Sequence, residues 1–267
     1  MIIMQANNLF SLQRFIMLFR QSLIVNKKLI GISLAGFSGS LFVALLFFQA
    51  VSNFRSWENS NYMSIFIVLF FLLGMIYSSL SFRAFRTKEK SVAYLMLPAS
   101  SSEKFIFEFL TQIVVFILLM PLLFWLIANL EGAVVQHYVQ RLINYKFSFG
   151  QGLAEIINKW KIEEWGMIAI VQGFLSVFIS AFTGASHFTK SPLVKTLFTI
   201  SGIICGYALF IYLIFNGLNL KEYSPVNNRI LFIHNNEEVV IFLALATTVI
   251  NLTMLAIAWF RFKEKEA

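Results

Sequence analysis

Residues 107–129 read FEFLTQIVVFILLMPLLFWLIAN, an apolar run whose one charged side chain, Glu108, stands near its start. An α-helix rises about 1.5 Å per residue, so about 20 residues cross the roughly 30 Å of hydrocarbon in a bilayer. A charge at the centre of such a helix costs at least about 2.5 to 3.5 kcal/mol. The run therefore predicts a transmembrane helix.

Five further runs meet the same criterion, and together the six predict an all-α, polytopic membrane protein. In chain order, the predicted spans are 29–51, 63–82, 107–129, 165–186, 196–217 and 239–260. The composition agrees: 58% of the 267 residues are hydrophobic and 13% are charged, whereas soluble domains have about 45 to 50% and about 25%. Pro121 is the one proline inside a predicted span, and we expect a kink there.

The distribution of charge predicts the topology. Six spans leave the segments 1–28, 83–106, 187–195 and 261–267 on one side of the membrane, and these hold 14 of the 21 basic residues. With Glu108 counted on that side, its net charge is +9 and that of the other side is −1. By the positive-inside rule, both termini are cytoplasmic, which fits a bacterial cytoplasmic membrane. The net charge of +8 is thus a topology signal and does not indicate a nucleic-acid partner.

Residues 1–28 are predicted to form a cytoplasmic amphipathic helix that lies in the membrane interface, ahead of a single six-span domain at 29–267. Apolar residues recur at helical spacing while polar ones occupy the other faces. The apolar set is Leu12, Phe15, Ile16, Phe19 and Leu23. The alternative is that this stretch is a leading piece of the first span. The long segment 131–164 on the outer side is expected to contain one or two short helices.

The residues that enzymes and metal sites use are scarce. The chain has no aspartate, three scattered histidines and a single cysteine, Cys205. It has neither a G-x-x-x-x-G-K-[ST] phosphate loop nor an H-E-x-x-H zinc motif. We therefore predict no catalytic, metal or cofactor residues and no enzyme activity; any ATP hydrolysis must come from another chain.

The segment 83–105 is the sharpest local feature. Its basic start leads into a short apolar stretch that Pro98 should end, because proline disfavours helical geometry in the preceding residue. Ser100 and Glu103 then have the spacing of a capping box for a helix that runs into the third span. A short cytoplasmic helix on a tight turn is one interpretation, and an ordinary solvated loop with a cap is the other.

Residues 94–105, YLMLPASSSEKF, resemble the leucine-leucine-proline-alanine-serine and glutamate-lysine-phenylalanine segment of small permease-like membrane proteins of Bacteroidetes-type bacteria. Those proteins resemble ABC transporter permeases of the type-2 exporter class. The resemblance implies a coupling helix between spans two and three that docks on a separate nucleotide-binding subunit. It also implies a second permease subunit, of the same or a related chain, in membrane lipid. The coupling residues it implies are Lys88, Glu89, Lys90, Tyr94, Leu95, Met96, Leu97, Pro98, Ser100, Glu103 and Lys104.

Two groups of small residues are predicted to let helices approach closely. Gly202 and Gly206 form a GxxxG in the fifth span, and Ser176, Ser180 and Gly184 form a stripe in the fourth. Each face serves either packing within the chain or a dimer seam.

Three functions stay open on these grounds. The permease subunit of an ATP-driven exporter comes first. A non-transporting membrane scaffold or assembly factor is the alternative, because the spans carry no charge deep inside them, where transporters often do. A membrane-embedded enzyme comes third.

Overall fold

The computed structural model describes residues 10–52, 57–139, 146–160, 164–217 and 236–266, and every regular element in these ranges is helical. The α-helices are α1 (Leu12–Val51), α2 (Asn59–Ser79), α3 (Lys88–Leu95), α4 (Ser101–Phe109), α5 (Val115–Val139), α6 (Phe149–Trp160), α7 (Glu164–His187), α8 (Pro192–Gly217) and α9 (Asn236–Glu266). A 3₁₀ turn covers Arg83–Arg86. The all-α prediction is confirmed for these residues.

Five helices in the described residues are long and apolar enough to cross a membrane, as expected for a multi-pass membrane protein. They are Leu12–Val51, Asn59–Ser79, Ser101–Tyr138, Trp165–His187 and Val240–Glu266. The remaining predicted span, 196–217, falls in α8. Within α8, the part Pro192–Gly206 is apolar but shorter than the length taken for a span.

Helix α1 is longer than the sequence pattern predicts. Its 40 residues run without interruption through the expected boundary between residues 28 and 29, so no helix end separates the amphipathic stretch from the first span. At about 1.5 Å per residue the helix is roughly 60 Å long, about twice the thickness of the hydrocarbon. About half of α1 therefore extends beyond a bilayer that the other half crosses.

The third predicted span belongs to a helix that continues from Ser101 to Val139. Its helical geometry changes at Leu110–Val114, which form a π turn between α4 and α5. Such single turns place one extra residue in a helix and are frequent at functional sites. Pro121 lies inside α5, and the kink expected there stays a prediction.

The chain divides into two compact units, each with its own packing. The first comprises residues 1–77 and 93–162. Its core joins α1, α2 and α5, and the fully buried Tyr62, Phe124 and Phe147 lie at its centre. In this unit α6 confirms the prediction of a short helix in 131–164, and its Glu155 accepts a hydrogen bond from the backbone N–H of Ser60 (2.8 Å) at the start of α2.

The second unit comprises residues 78–92 and 163–267. Helix α7 packs against α9 and α8, and the Asn251 amide of α9 donates to the Gln172 side chain of α7 at 3.2 Å. Phe82 adopts a left-handed backbone conformation (φ 54°), which costs a residue with a Cβ roughly 1 to 2 kcal/mol. Its ring is buried against Phe182 and Phe262, with centroids 4.9 and 5.4 Å away. This aromatic packing offsets the strain.

Candidate coupling segment

The segment 83–105 folds into the short helix and tight turn that the sequence suggests. Helix α3 ends at Leu95, and the chain resumes a helix at Ser101. Pro98 lies in the turn between them, where its fixed φ and missing N–H cost nothing. The alternative interpretation, a solvated loop with an ordinary cap, agrees with the cap at Ser100 but not with the helix at Lys88–Leu95.

The predicted capping box is confirmed at the start of α4. The Ser100 hydroxyl accepts a hydrogen bond from the backbone N–H of Glu103 at 3.3 Å. In return, Glu103 Oε2 accepts one from the backbone N–H of Ser100 at 2.9 Å. Two backbone donors that the helix start would leave unpaired are thereby satisfied.

Glu103 also joins the segment to the beginning of α1 within the first unit. Its Oε1 accepts a hydrogen bond from the backbone N–H of Ser11 (2.6 Å) and pairs with Arg14 Nη2 (3.0 Å). The Glu103 side chain is fully buried, whereas that of Arg14 stays 30% exposed. Two backbone N–H groups and one guanidinium thus donate to this carboxylate, and its role in this structure is to hold the turn in place. Neither Ser11 nor Arg14 was among the residues predicted from the sequence.

Lys104 and Tyr94 form a second internal contact. The Lys104 ammonium lies 5.4 Å from the centre of the Tyr94 ring and donates to the Leu95 carbonyl at 3.4 Å. Lys104 is 4% exposed, so its charge reaches little solvent. A cavity of about 200 Å³ lies beside this contact in the first unit. Its lining residues are Leu18, Gln21, Ser22, Val25, Asn26, Tyr94, Leu97, Lys104 and Phe107.

The remaining candidates are accessible to a partner. Lys88, Glu89, Lys90, Leu95 and Pro98 are exposed, and Met96 is 80% exposed at the tip of the turn. An exposed methionine is a flexible apolar side chain that adapts to the surface it meets. The structure therefore divides the eleven candidates into exposed residues and residues that fix the turn: Ser100, Glu103, Lys104 and, half-buried, Tyr94 and Leu97.

The basic start of the segment is anchored within the second unit. The Arg86 guanidinium donates to the Ser79 carbonyl at 2.9 Å. Burial lowers the pKa of Arg86 from its ordinary value, and the neighbouring charge of Arg83 lowers it further. Arginine nevertheless stays protonated in proteins, so Arg86 contributes a fixed positive charge.

The small residues of α7 and α8 have different surroundings. A Cβ atom added to Gly184 would overlap the side chain of Thr196, so α7 and α8 approach closely at this point. Ser176 and Ser180 donate to carbonyls of their own helix, at Gln172 (2.8 Å) and Val177 (2.9 Å). Gly202 and Gly206 are exposed, and no described atom lies within 4 Å of a Cβ added to either.

Comparisons of the chain with models of known protein families, with curated proteins and with solved structures found no match. The resemblance of residues 94–105 to ABC permeases thus stays a prediction. In the described part of the chain, no three His, Cys, Asp or Glu side chains are placed to hold a metal ion.

Proposed function

We propose that this chain is the membrane-spanning permease subunit of an ATP-driven ABC exporter, coupled to a separate ATPase through residues 88–104. The observation that carries the proposal is an exposed helix and turn, Lys88–Met96, mounted on a turn that Glu103 fixes. That turn begins a helix that continues to Val139. A displacement of the turn by a partner would therefore be transmitted along the third span.

The topology that we propose has six spans in a bacterial cytoplasmic membrane and both termini in the cytoplasm. The excess of basic residues on one side supports it. Helix α8, with 26 residues and a length of about 39 Å, would be the fifth span. The amphipathic first half of α1 would continue from the first span through the cytoplasmic headgroup region, where Arg20, Lys27 and Lys28 suit anionic headgroups.

A second permease subunit, of the same or a related chain, would complete the exporter. The open GxxxG face of α8, at Gly202 and Gly206, supports this because such faces let two transmembrane helices approach closely.

Cysteine labelling tests the proposed topology. The native Cys205 is replaced by serine, and a single cysteine is introduced at Lys90 or at Lys159, which are both exposed in the structure. We expect a membrane-impermeant maleimide to label Lys159→Cys in intact spheroplasts and Lys90→Cys only after permeabilisation. The reverse pattern would invert the topology, and equal labelling of both in intact spheroplasts would refute an odd number of spans between them.

Co-purification tests the coupling role. The chain is expressed in its native host and extracted in mild detergent, and any P-loop ATPase that co-purifies with it is quantified. We expect Met96→Asp to reduce recovery of the ATPase at least about tenfold, because a charge on the contact surface would have to be desolvated. Tyr138→Asp is the matched control, since Tyr138 is also 80% exposed but lies at the opposite end of the third span. If wild type recovers no ATPase, or if the two variants behave alike, the coupling role is lost.

A non-transporting scaffold or assembly factor is the second candidate. The observation in its favour is that the six predicted spans carry no charge deep inside them. Deletion of a scaffold would leave the export of every tested compound unchanged while a membrane complex is lost. A transport defect that is restored by the wild-type chain would exclude this role.

A further inference from the structure

A second fully buried glutamate lies in the first unit, at a distance from the coupling segment. The side chain of Glu131, near the C-terminal end of α5, is 0% exposed. Its Oε2 accepts a hydrogen bond from the Tyr62 hydroxyl at 2.8 Å. The Tyr62 oxygen in turn accepts one from the Gln49 amide at 2.9 Å. Gln49 is 2% exposed and Tyr62 is 0% exposed, so all three side chains of the cluster, one each from α1, α2 and α5, are buried.

The hydrogen bonding of this cluster is incomplete in a particular way. Glu131 Oε1 and Gln49 Oε1 are buried, and neither has a hydrogen-bond partner in the described part of the chain. Both are acceptors. What the cluster lacks is therefore a hydrogen, and buried acceptors that lack one cost free energy.

No cation compensates Glu131 within the described residues. In this part of the described chain the titratable or charged groups are Glu58, Tyr62, His137, Tyr138, Lys146, Glu155 and Lys159, and the basic residues of α1 are Arg14, Arg20, Lys27 and Lys28. Of these, Tyr62 alone hydrogen bonds to Glu131, and none of the basic groups forms an ion pair with it. Two aromatic rings also lie beside Tyr62: those of Trp57 and Phe147 have centroids 5.0 and 5.7 Å from its ring.

Glu103 provides a comparison within the same unit. Both carboxyl groups are fully buried, but Glu103 has an arginine and two backbone N–H donors, whereas Glu131 has one phenol. An ionised carboxylate out of water requires several donors or a paired cation. The surroundings of Glu103 therefore suit an ionised carboxylate, and those of Glu131 suit a neutral carboxylic acid.

We propose that Glu131, Tyr62 and Gln49 form a proton-binding site, in which Glu131 is a neutral carboxylic acid at neutral pH. A proton on Glu131 Oε1 gives that oxygen its hydrogen and leaves the buried side chain uncharged. Ionisable groups within transmembrane helices mark functional sites, proton relays among them, and Glu131 lies in the apolar helix Ser101–Tyr138. The site does not depend on the proposed exporter function, and either can be wrong without the other.

Infrared spectroscopy of the full-length protein at neutral pH tests the site. We expect Glu131→Gln, which is neutral and of similar shape, to lose one carbonyl stretching band of a carboxylic acid and to keep the wild-type unfolding temperature. Glu155→Gln is the control; Glu155 is exposed, and we expect this variant to lose a carboxylate band only. The loss of a carboxylate band from Glu131→Gln would overturn the proposal.

Two further measurements decide the matter if Glu131→Gln does not fold. Tyr62→Phe removes the hydrogen bond to Oε2, and we expect it to shift the carboxylic-acid band to higher frequency. Replacing sodium by choline is expected to leave the band and the unfolding temperature unchanged. An unshifted band in Tyr62→Phe would overturn the proposal. An unfolding temperature that falls when sodium is removed would also overturn the proposal, and would indicate that the site binds a metal cation.

Discussion

Replacing Glu103 by alanine is expected to lower the free energy of unfolding by about 3 kcal/mol or more. Removing one partner of a buried ion pair typically costs about 3 to 5 kcal/mol, because the other charge loses its compensation. Arg14 remains 30% exposed and can regain part of its hydration, which favours the lower end of that range. The loss of the helix cap adds about 1 kcal/mol.

Glutamine at position 103 separates these two contributions. A capping box accepts Gln in place of Glu, so Glu103→Gln keeps the hydrogen bond to the Ser100 backbone and loses the charge opposite Arg14. We expect it to be less destabilising than Glu103→Ala and more destabilising than the control Glu264→Ala. Glu264 forms an exposed pair with Arg261 at 2.7 Å, and such pairs contribute about 0 to 1 kcal/mol.

The measurement is equilibrium unfolding in mixed micelles with increasing denaturing detergent, followed by circular dichroism. A double-mutant cycle with Arg14→Gln isolates the pair, because the coupling energy appears as non-additivity of the two single changes. Equal effects of Glu103→Ala and Glu264→Ala would show that the hydrogen bonds and ion pair of Glu103 do not stabilise the fold.

The capping box illustrates what the sequence could predict. Ser100 and Glu103 are three residues apart, so the pattern itself contains both partners. Ser11 and Arg14 lie 92 and 89 residues from Glu103, and only the packing of α1 against α4 brings them there. The sequence therefore predicted the local hydrogen bonds of this carboxylate but not its distant partners.

The continuity of α1 was only the alternative interpretation of the sequence, for a different reason. The stretch 12–23 has its own amphipathic pattern, which suggested a separate helix. Yet residues 26–28, at the expected boundary, read NKK, with neither proline nor glycine, and lysine is a good helix former. Without a breaking signal, the helix continues into the apolar run. The spacing of polar residues indicates a change of surroundings, and it does not by itself end a helix.

The cluster around Glu131 also lay beyond the sequence. Gln49, Tyr62 and Glu131 belong to three different helices, with no motif that connects them. Glu131 lies just outside the predicted third span, where a glutamate is expected to be solvated. Its burial results from the aromatic residues that cover this end of the first unit, which no local pattern specifies.

Replacing Gly184 by alanine is expected to destabilise the second unit by about 1 to 3 kcal/mol, the usual cost of overpacking a close contact. The added Cβ would overlap both Oγ1 and Cγ2 of Thr196. The Thr196 hydroxyl donates to the Pro192 carbonyl at 2.7 Å and the residue is 7% exposed, so its side chain has little room to move away. Helices α7 and α8 would have to separate.

Gly173 is the matched control because it lies in the same helix with no described atom within 4 Å of an added Cβ. Gly173→Ala should therefore be neutral or stabilise by up to about 1 kcal/mol, the difference in helix propensity between the two residues. Unfolding in mixed micelles gives both values in the same experiment.

A compensating change identifies the contact as the cause. Thr196→Gly removes all the atoms that meet the new Cβ, so the double variant with Gly184→Ala should be more stable than the two single changes predict. If Gly184→Ala and Gly173→Ala have the same effect, Gly184 is not at a close helix contact. If Gly184→Ala is costly but Thr196→Gly brings no relief, the constraint at Gly184 comes from another chain. The stripe of small residues in α7 would then belong to a dimer seam and not to packing within one chain.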